Sequence, residues 1–172
     1  MRSLQAAIKE SETEMKTDRL TRAMVCATAM VCAVFAACAA LAQTPETYKV
    51  RLTPVAIDVS MMARVAGSGA LTAVLNGNKL TINGSFSGLR SPATTAHIQR
   101  GLAKGVRGPA ILDLHVSKQA ADTSRPNSYQ AEIHDSAELS PEQLEDLRNA
   151  RLYVQIDSEG APDGNLWGWL LR

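Results

Sequence analysis

From Tyr48 onward the sequence alternates apolar and polar residues in short runs, and Gly, Pro and Asn break those runs at near-regular intervals. A period of two is the spacing of a strand with one buried face, because successive side chains point to opposite sides of the pleat. The cleanest run is 80–88. There Leu80, Ile82 and Phe86 fall on one side, with Thr81, Asn83, Ser85 and Ser87 on the other. Asn76-Gly77-Asn78-Lys79 precedes it, and Asn and Gly accept the positive φ of a tight hairpin turn. Residues 70–75 supply the partner strand.

The same pattern predicts strands over 48–52, 95–100, 110–116, 151–157 and 165–171, with a weaker one over 128–133. Pro54 ends the first. A glycine-rich loop with Gly101, Gly105, Gly108 and Pro109 follows the strand that carries His97. Residues 117–127 are polar and read as a loop, and 158–164 as a turn-rich connection. One helix is well signed over 141–149. Ser140 is its N-cap, Pro141 suits the first helical position, Gln143 completes a capping box, and Leu144 and Leu147 give an apolar stripe. Short strands with Gly/Pro turns and one short helix predict an all-β fold, an antiparallel Greek-key sandwich or barrel.

The N-terminal part reads differently. Residues 23–42 form an apolar, uncharged run preceded by Lys16, Arg19 and Arg22 and closed by Ala40-Leu41-Ala42. Basic flank, apolar stretch and small-x-small site make a secretory signal peptide, with cleavage expected after Ala42. Residues 1–42 are therefore assigned to an N-terminal extension and signal, and 43–172 to a single domain. Met15 is an alternative start to Met1. A retained transmembrane anchor and lipid attachment at Cys38 are competing readings, and the cleavage motif argues against both. The expected location is exported, periplasmic or secreted, with no membrane insertion after cleavage. Cys26, Cys32 and Cys38 all fall in the signal, so the domain has no disulfide or thiolate to use. The chain carries 18 Lys and Arg against 17 Asp and Glu, without a basic stripe, which argues against nucleic acid as a partner.

Several short motifs, taken in order, resemble the CHRD domain, the module named after chordin and also found in bacterial exported proteins. They are Ser87-Gly88-Leu89, Ala96-His97-Ile98-Gln99, Gly108-Pro109-Ala110-Ile111 and Leu139-Ser140-Pro141-Glu142-Gln143. Tyr153-Val154-Gln155-Ile156-Asp157-Ser158, Ala161-Pro162-Asp163-Gly164 and Leu166-Trp167-Gly168-Trp169-Leu170 complete them. The resemblance implies an immunoglobulin-like β-barrel, distantly similar to Cu/Zn superoxide dismutase. It implies no established activity. Four positions depart from the family pattern. Gln99 stands for the second His of a His-x-His, Asp157 for a further His, and Trp167 and Trp169 for polar residues of the closing strand.

These positions define the candidate site. His97 and Gln99 share a strand face, as do Tyr153, Gln155 and Asp157. If the two strands are neighbours, His97 and Asp157 approach, and a weak copper or zinc site is conceivable there. The structural alternative is a His97 that bonds a loop carbonyl or Asp157. His115 beside Asp113, and His134 beside Asp135, read as solvated. A Ser91-His97-Asp157 triad lacks a nucleophile elbow or an oxyanion motif. Trp167 and Trp169 lie on one face of the last strand with Asn165, opposite Leu166, Gly168 and Leu170 on the expected core side. Displayed tryptophans suit a protein or glycan partner; covered by a loop or the helix, they form a second core. Lys104 and Arg107, beside Arg100, give the glycine-rich loop a basic character that suits an anion or plain solvent.

The leading expectation is a non-enzymatic exported binding module without a cofactor. Its contact face carries His97, Gln99, Tyr153, Gln155, Asp157, Trp167 and Trp169. The alternative is a metal-binding protein or degenerate dismutase-like enzyme using His97 and Asp157.

Overall fold

A computed structural model describes residues 44–117 and 119–172. The expected signal peptide and cleavage site, residues 1–42, lie outside the described residues. Nine strands form one curled antiparallel sheet: β1 (Glu46–Pro54), β2 (Ser68–Asn76), β3 (Lys79–Leu89), β4 (Ala93–Arg100), β5 (Ala110–Leu114), β6 (Ala120–Ala121), β7 (Tyr129–Glu138), β8 (Leu152–Ser158) and β9 (Ala161–Trp169). Their spatial order is β5-β4-β8-β9-β1-β2-β3-β7-β6. The all-β antiparallel expectation therefore holds. The single helix α1 (Pro141–Arg148) carries the expected capping box between Ser140 and Gln143.

Two segments curl the sheet. Strand β1 pairs with β2 through Glu46 to Leu52 and then with β9 through Thr53 and Pro54. The chain leaving β5 bridges to β7 at Val116 and Ile133, where Ser117 N donates to Glu132 O at 2.9 Å. The half-barrel's two edges meet at that bridge. Strand β4 follows β3 but lies on the other half of the sheet, and β7 returns to pair with β3, in a Greek-key arrangement. Three strands run differently from the sequence expectation, the first being β6, whose two residues pair with β7 inside the stretch 117–127 expected to be a loop. Strand β7 continues five residues past Ile133 to Glu138, because pairing with β3 carries its polar C-terminal half. Strand β9 starts at Ala161, within the stretch expected to be a turn, with a register shift opposite Ile156 and Ser158 that absorbs the extra residues.

Inward-facing residues fill the curl. Leu52, Ile82, Ile98, Ile133, Leu152, Val154, Ile156, Leu166 and Leu170 are all buried. Each such aliphatic side chain contributes about 1.5–3 kcal/mol. Gly168 belongs to the same face, and a Cβ there would lie 2.6 Å from Val50 Cγ1, so the closing strand packs against β1 only with glycine. Helix α1 adds Leu147 to the core and is tied down by Asp146, which is buried with Arg100 Nε 2.7 Å from its Oδ2. Arg100 also pairs with Glu142 at 2.7 Å, and that contact, ahead of Asp146, holds its guanidinium above the ordinary arginine range.

Candidate functional site

Alternation along β4, β8 and β9 dictates which side chains meet on the outer face. Register pairs His97 with Gln155 and Gln99 with Tyr153, then Gln155 with Trp167 and Tyr153 with Trp169. On the other side of β4, His97 pairs with Asp113 of β5. Two rows result. One runs Asp113, His97, Gln155, Trp167, and the other runs Gln99, Tyr153, Trp169. Asp157, two residues past Gln155 on β8 and in contact with it, joins the first row, so all seven residues singled out in the sequence lie on one contiguous face with Asp113.

Polar side chains at one end of this face form a linked network. His97 Nδ1 is 2.9 Å from Asp113 Oδ1, and its Nε2 is 3.8 Å from Asp157 Oδ2. Thr95 Oγ1 donates to Asp157 Oδ2 at 2.9 Å, and Gln155 Nε2 donates to Asp157 Oδ1 at 2.7 Å. The partner of His97 is thus chiefly Asp113, which strand alternation alone sets beside His115. Ser91 stands apart from this histidine network; its Oγ accepts from Gly160 N at the β8–β9 turn. His134 bonds Asn83 and Glu132 on the far part of the sheet. Among the described residues no group of three or more His, Cys, Asp or Glu side chains is placed to hold a metal ion. His97 and Asp157 approach, as the neighbouring strands require, but gather no third ligand of that kind.

At the other end the face is aromatic. The ring of Tyr153 stacks on Trp167 with centroids 5.5 Å apart and tilts against Trp169 at 4.7 Å. Such pairs add about 0.5–1.5 kcal/mol beyond their buried area. The Tyr153 hydroxyl donates to Gln99 Oε1 at 2.5 Å and accepts from Gly108 N at 3.3 Å.

The face is not open. Strand β8 is buried at every residue, outward-facing Tyr153, Gln155 and Asp157 included, and Gln99 is buried beside them. His97, Trp167 and Trp169 are half-buried. Over the aromatic end the cover is the 101–109 loop, which leaves β4 and reaches across to β8 and β9. Arg107 lays its guanidinium 4.8 Å from the Trp167 ring centroid and donates to Asp163 O at 3.0 Å. Glycines at both ends allow the close approach. A Cβ at Gly101 would stand 2.7 Å from Trp169, and one at Gly108 would stand 1.7 Å from Arg100 O. Leu102 and Val106, the loop's apolar side chains, point to solvent instead of into the face. The sequence marks Arg107 as a basic loop residue but does not place it on Trp167. The flanking glycines are the available signal, since close backbone approach is one reason for glycine.

Two polar atoms of this face are left unpaired. Gln155 Oε1 and Trp167 Nε1 are buried, belong to cross-strand partners, and have no hydrogen-bond partner among the described residues. Leaving each unpaired costs about 1–3 kcal/mol. Against this, the Arg107–Trp167 contact contributes about 0.5–1 kcal/mol, and each hydrogen bond from the loop contributes about 1 kcal/mol.

The order of the motifs along β1 to β9 now has its structural counterpart, and the family model of the CHRD domain matches residues 49–170, nearly the whole described fold. The chain belongs to the CHRD domain family. No curated protein and no solved structure matches it. In this CHRD domain Gln99 and Asp157, where the resemblance implied histidines, are both buried and both hydrogen-bonded within the face. The two tryptophans that replace polar residues supply the aromatic half of the same face.

Proposed function

We propose that this CHRD domain is an exported, non-enzymatic binding module that engages a protein or glycan partner through the outer face of β4, β8 and β9. The observation that carries the reading is the composition of that face. Tyr153, Gln155 and Asp157 are buried although the apolar core lies on the opposite side of the same strand. A layer serving stability alone is better served by apolar side chains, since buried amides and carboxylates must first lose water. Aromatic side chains beside paired polar groups suit recognition instead. Export rests on the signal-like segment ending at Ala42.

The test places a photo-crosslinker at Thr95, an exposed position bordering the network, and exposes the domain to material from the cell envelope and medium. A specific adduct that disappears in His97→Ala and Trp167→Ala is expected. Identical adducts from a crosslinker at Asn83, on the remote part of the sheet, would remove the basis for assigning binding to this face. Copper and zinc titration separates the metal-binding alternative, because stoichiometric binding lost in His97→Ala would favour a metal over a protein or glycan partner.

A further inference from the structure

We propose that the ligand of this face is a saccharide, seated against the Trp167–Tyr153–Trp169 cluster once the 101–109 loop lifts, with one ring hydroxyl bridging Gln155 Oε1 and Trp167 Nε1. This rests on the binding-module reading above and goes further by fixing the chemistry of the partner.

The two unpartnered atoms define what must arrive. Gln155 Oε1 needs a donor, and Trp167 Nε1 needs an acceptor. They belong to residues directly opposite each other on β8 and β9. The amide is held in this orientation because its Nε2 already donates to Asp157 and approaches Asp163 O at 3.4 Å. A carboxylate ligand would satisfy the indole but repel the amide oxygen and the nearby Asp157. An ammonium would satisfy the amide oxygen but bring a second donor to the indole. A hydroxyl donates and accepts at the same time, and it is neutral.

Two further features fit a sugar ring. The aromatic cluster offers flat apolar surface for the C–H face of a pyranose, beside Asp157 and Gln99, which can bond its remaining hydroxyls. Gly164 packs beside the same pair: a Cβ there would lie 2.3 Å from Trp167 Nε1 and 3.1 Å from Gln155 Cδ, so any larger residue would crowd the indole N–H. Arg107 occupies the ring face of Trp167 that a ligand would take, so it acts as an internal competitor.

The experiment is direct because the chain has only two tryptophans, Trp167 and Trp169, and both lie in this cluster. All tryptophan fluorescence reports on the site. A glycan array identifies candidate saccharides, and each is then titrated free in solution while emission is followed. The expected result is a saturable change for at least one saccharide, with an acyclic polyol of equal hydroxyl count failing to compete. Trp167→Phe, which keeps a ring but drops the N–H, should weaken binding about tenfold. Arg107→Ala should strengthen it, because it removes the competitor. Circular dichroism confirms that both variants fold, and their opposite signs separate a site effect from general damage. The proposal is overturned if no glycan binds the parent domain or Arg107→Ala, or if Trp167→Phe binds as tightly as the parent. A protein adduct at the Thr95 crosslinker with a negative array would overturn the saccharide alone. Failure of both experiments would overturn the binding reading as well.

Discussion

Replacing Tyr153 with Phe isolates what holds the loop to the sheet. The change removes one oxygen and keeps a fully buried ring in contact with Trp167 and Trp169. The lost hydroxyl donates to Gln99 Oε1 at 2.5 Å and accepts from Gly108 N at 3.3 Å. The first bond matters more. Gln99 is only 7 % exposed, so its oxygen has little access to replacement water. A buried acceptor left unpaired costs about 1–3 kcal/mol, whereas the longer bond to Gly108, at the half-buried end of the loop, adds a few tenths. The expected total is about 1.5–3 kcal/mol. For a domain of this size each kcal/mol lowers Tm by roughly 3–6 °C. Urea unfolding followed by tryptophan fluorescence measures the loss, and hydrogen exchange at the Gly108 amide shows whether it is local. Faster exchange at Gly108 is expected in the variant. A loss below about 0.5 kcal/mol, with Gly108 exchange unchanged, would show that the hydroxyl does not tie the loop to β8.

Other perturbations test neighbouring parts of the same structure. Asp146→Ala leaves Arg100 and Arg151 facing an uncompensated pocket under α1; because both arginines are partly exposed, the expected cost is about 2–3 kcal/mol, measured by denaturant unfolding. Gly164→Ala forces a side chain onto a backbone at φ +124° and against Trp167 Nε1, which should cost about 2–4 kcal/mol and shift the tryptophan emission. Glu46 is held below the ordinary glutamate range, chiefly by the Tyr48 hydroxyl and further by Arg172 and Arg148. The folded state thus binds fewer protons at this site than the unfolded chain. Its contribution is complete at neutral pH, declines as pH falls through about 4, and is gone below the depressed native value. Thermal unfolding of Glu46→Gln should therefore show a shallower acid-side loss than the parent, and equal slopes would refute the assignment.

Much of this fold was legible because its signals are local. Alternation over 80–88 placed Leu80, Ile82 and Phe86 inside, and Ser140, Pro141 and Gln143 marked the start of the helix. The same rule put Leu166 and Leu170 on the core side and the two tryptophans opposite, as the structure has them. The extension of β7 to Glu138 was harder to read, since Asp135, Ser136 and Glu138 are poor strand formers that β3 recruits by pairing. Strand β9 hid for a related reason. Pro162, Asp163 and Gly164 read as a turn, and only the register shift against β8 makes them part of a strand. Chain contacts that are distant in sequence decide both cases.

The site shows the same division more sharply. Period two fixes the side of the sheet on which a residue lies, and that is why seven scattered positions converged on one face. It says nothing about what lies above that face. The loop's path across β8 follows from close backbone approach at Gly101 and Gly108 and from one arginine finding one indole. None of these has a periodic signature. Once the cover is seen, the polarity of the face becomes the informative quantity. Apolar substitutes for Gln99, Gln155 and Asp157 would satisfy a covered layer without the desolvation that amides and a carboxylate incur. The hydrogen bonds among Thr95, Gln155 and Asp157, and between Tyr153 and Gln99, offset part of that cost. They do not offset it for Gln155 Oε1 or Trp167 Nε1. A face that is buried, polar and incompletely paired is poorly explained by folding alone. The binding reading proposed above accounts for it: there the partners of Gln155 Oε1 and Trp167 Nε1 come from outside the chain.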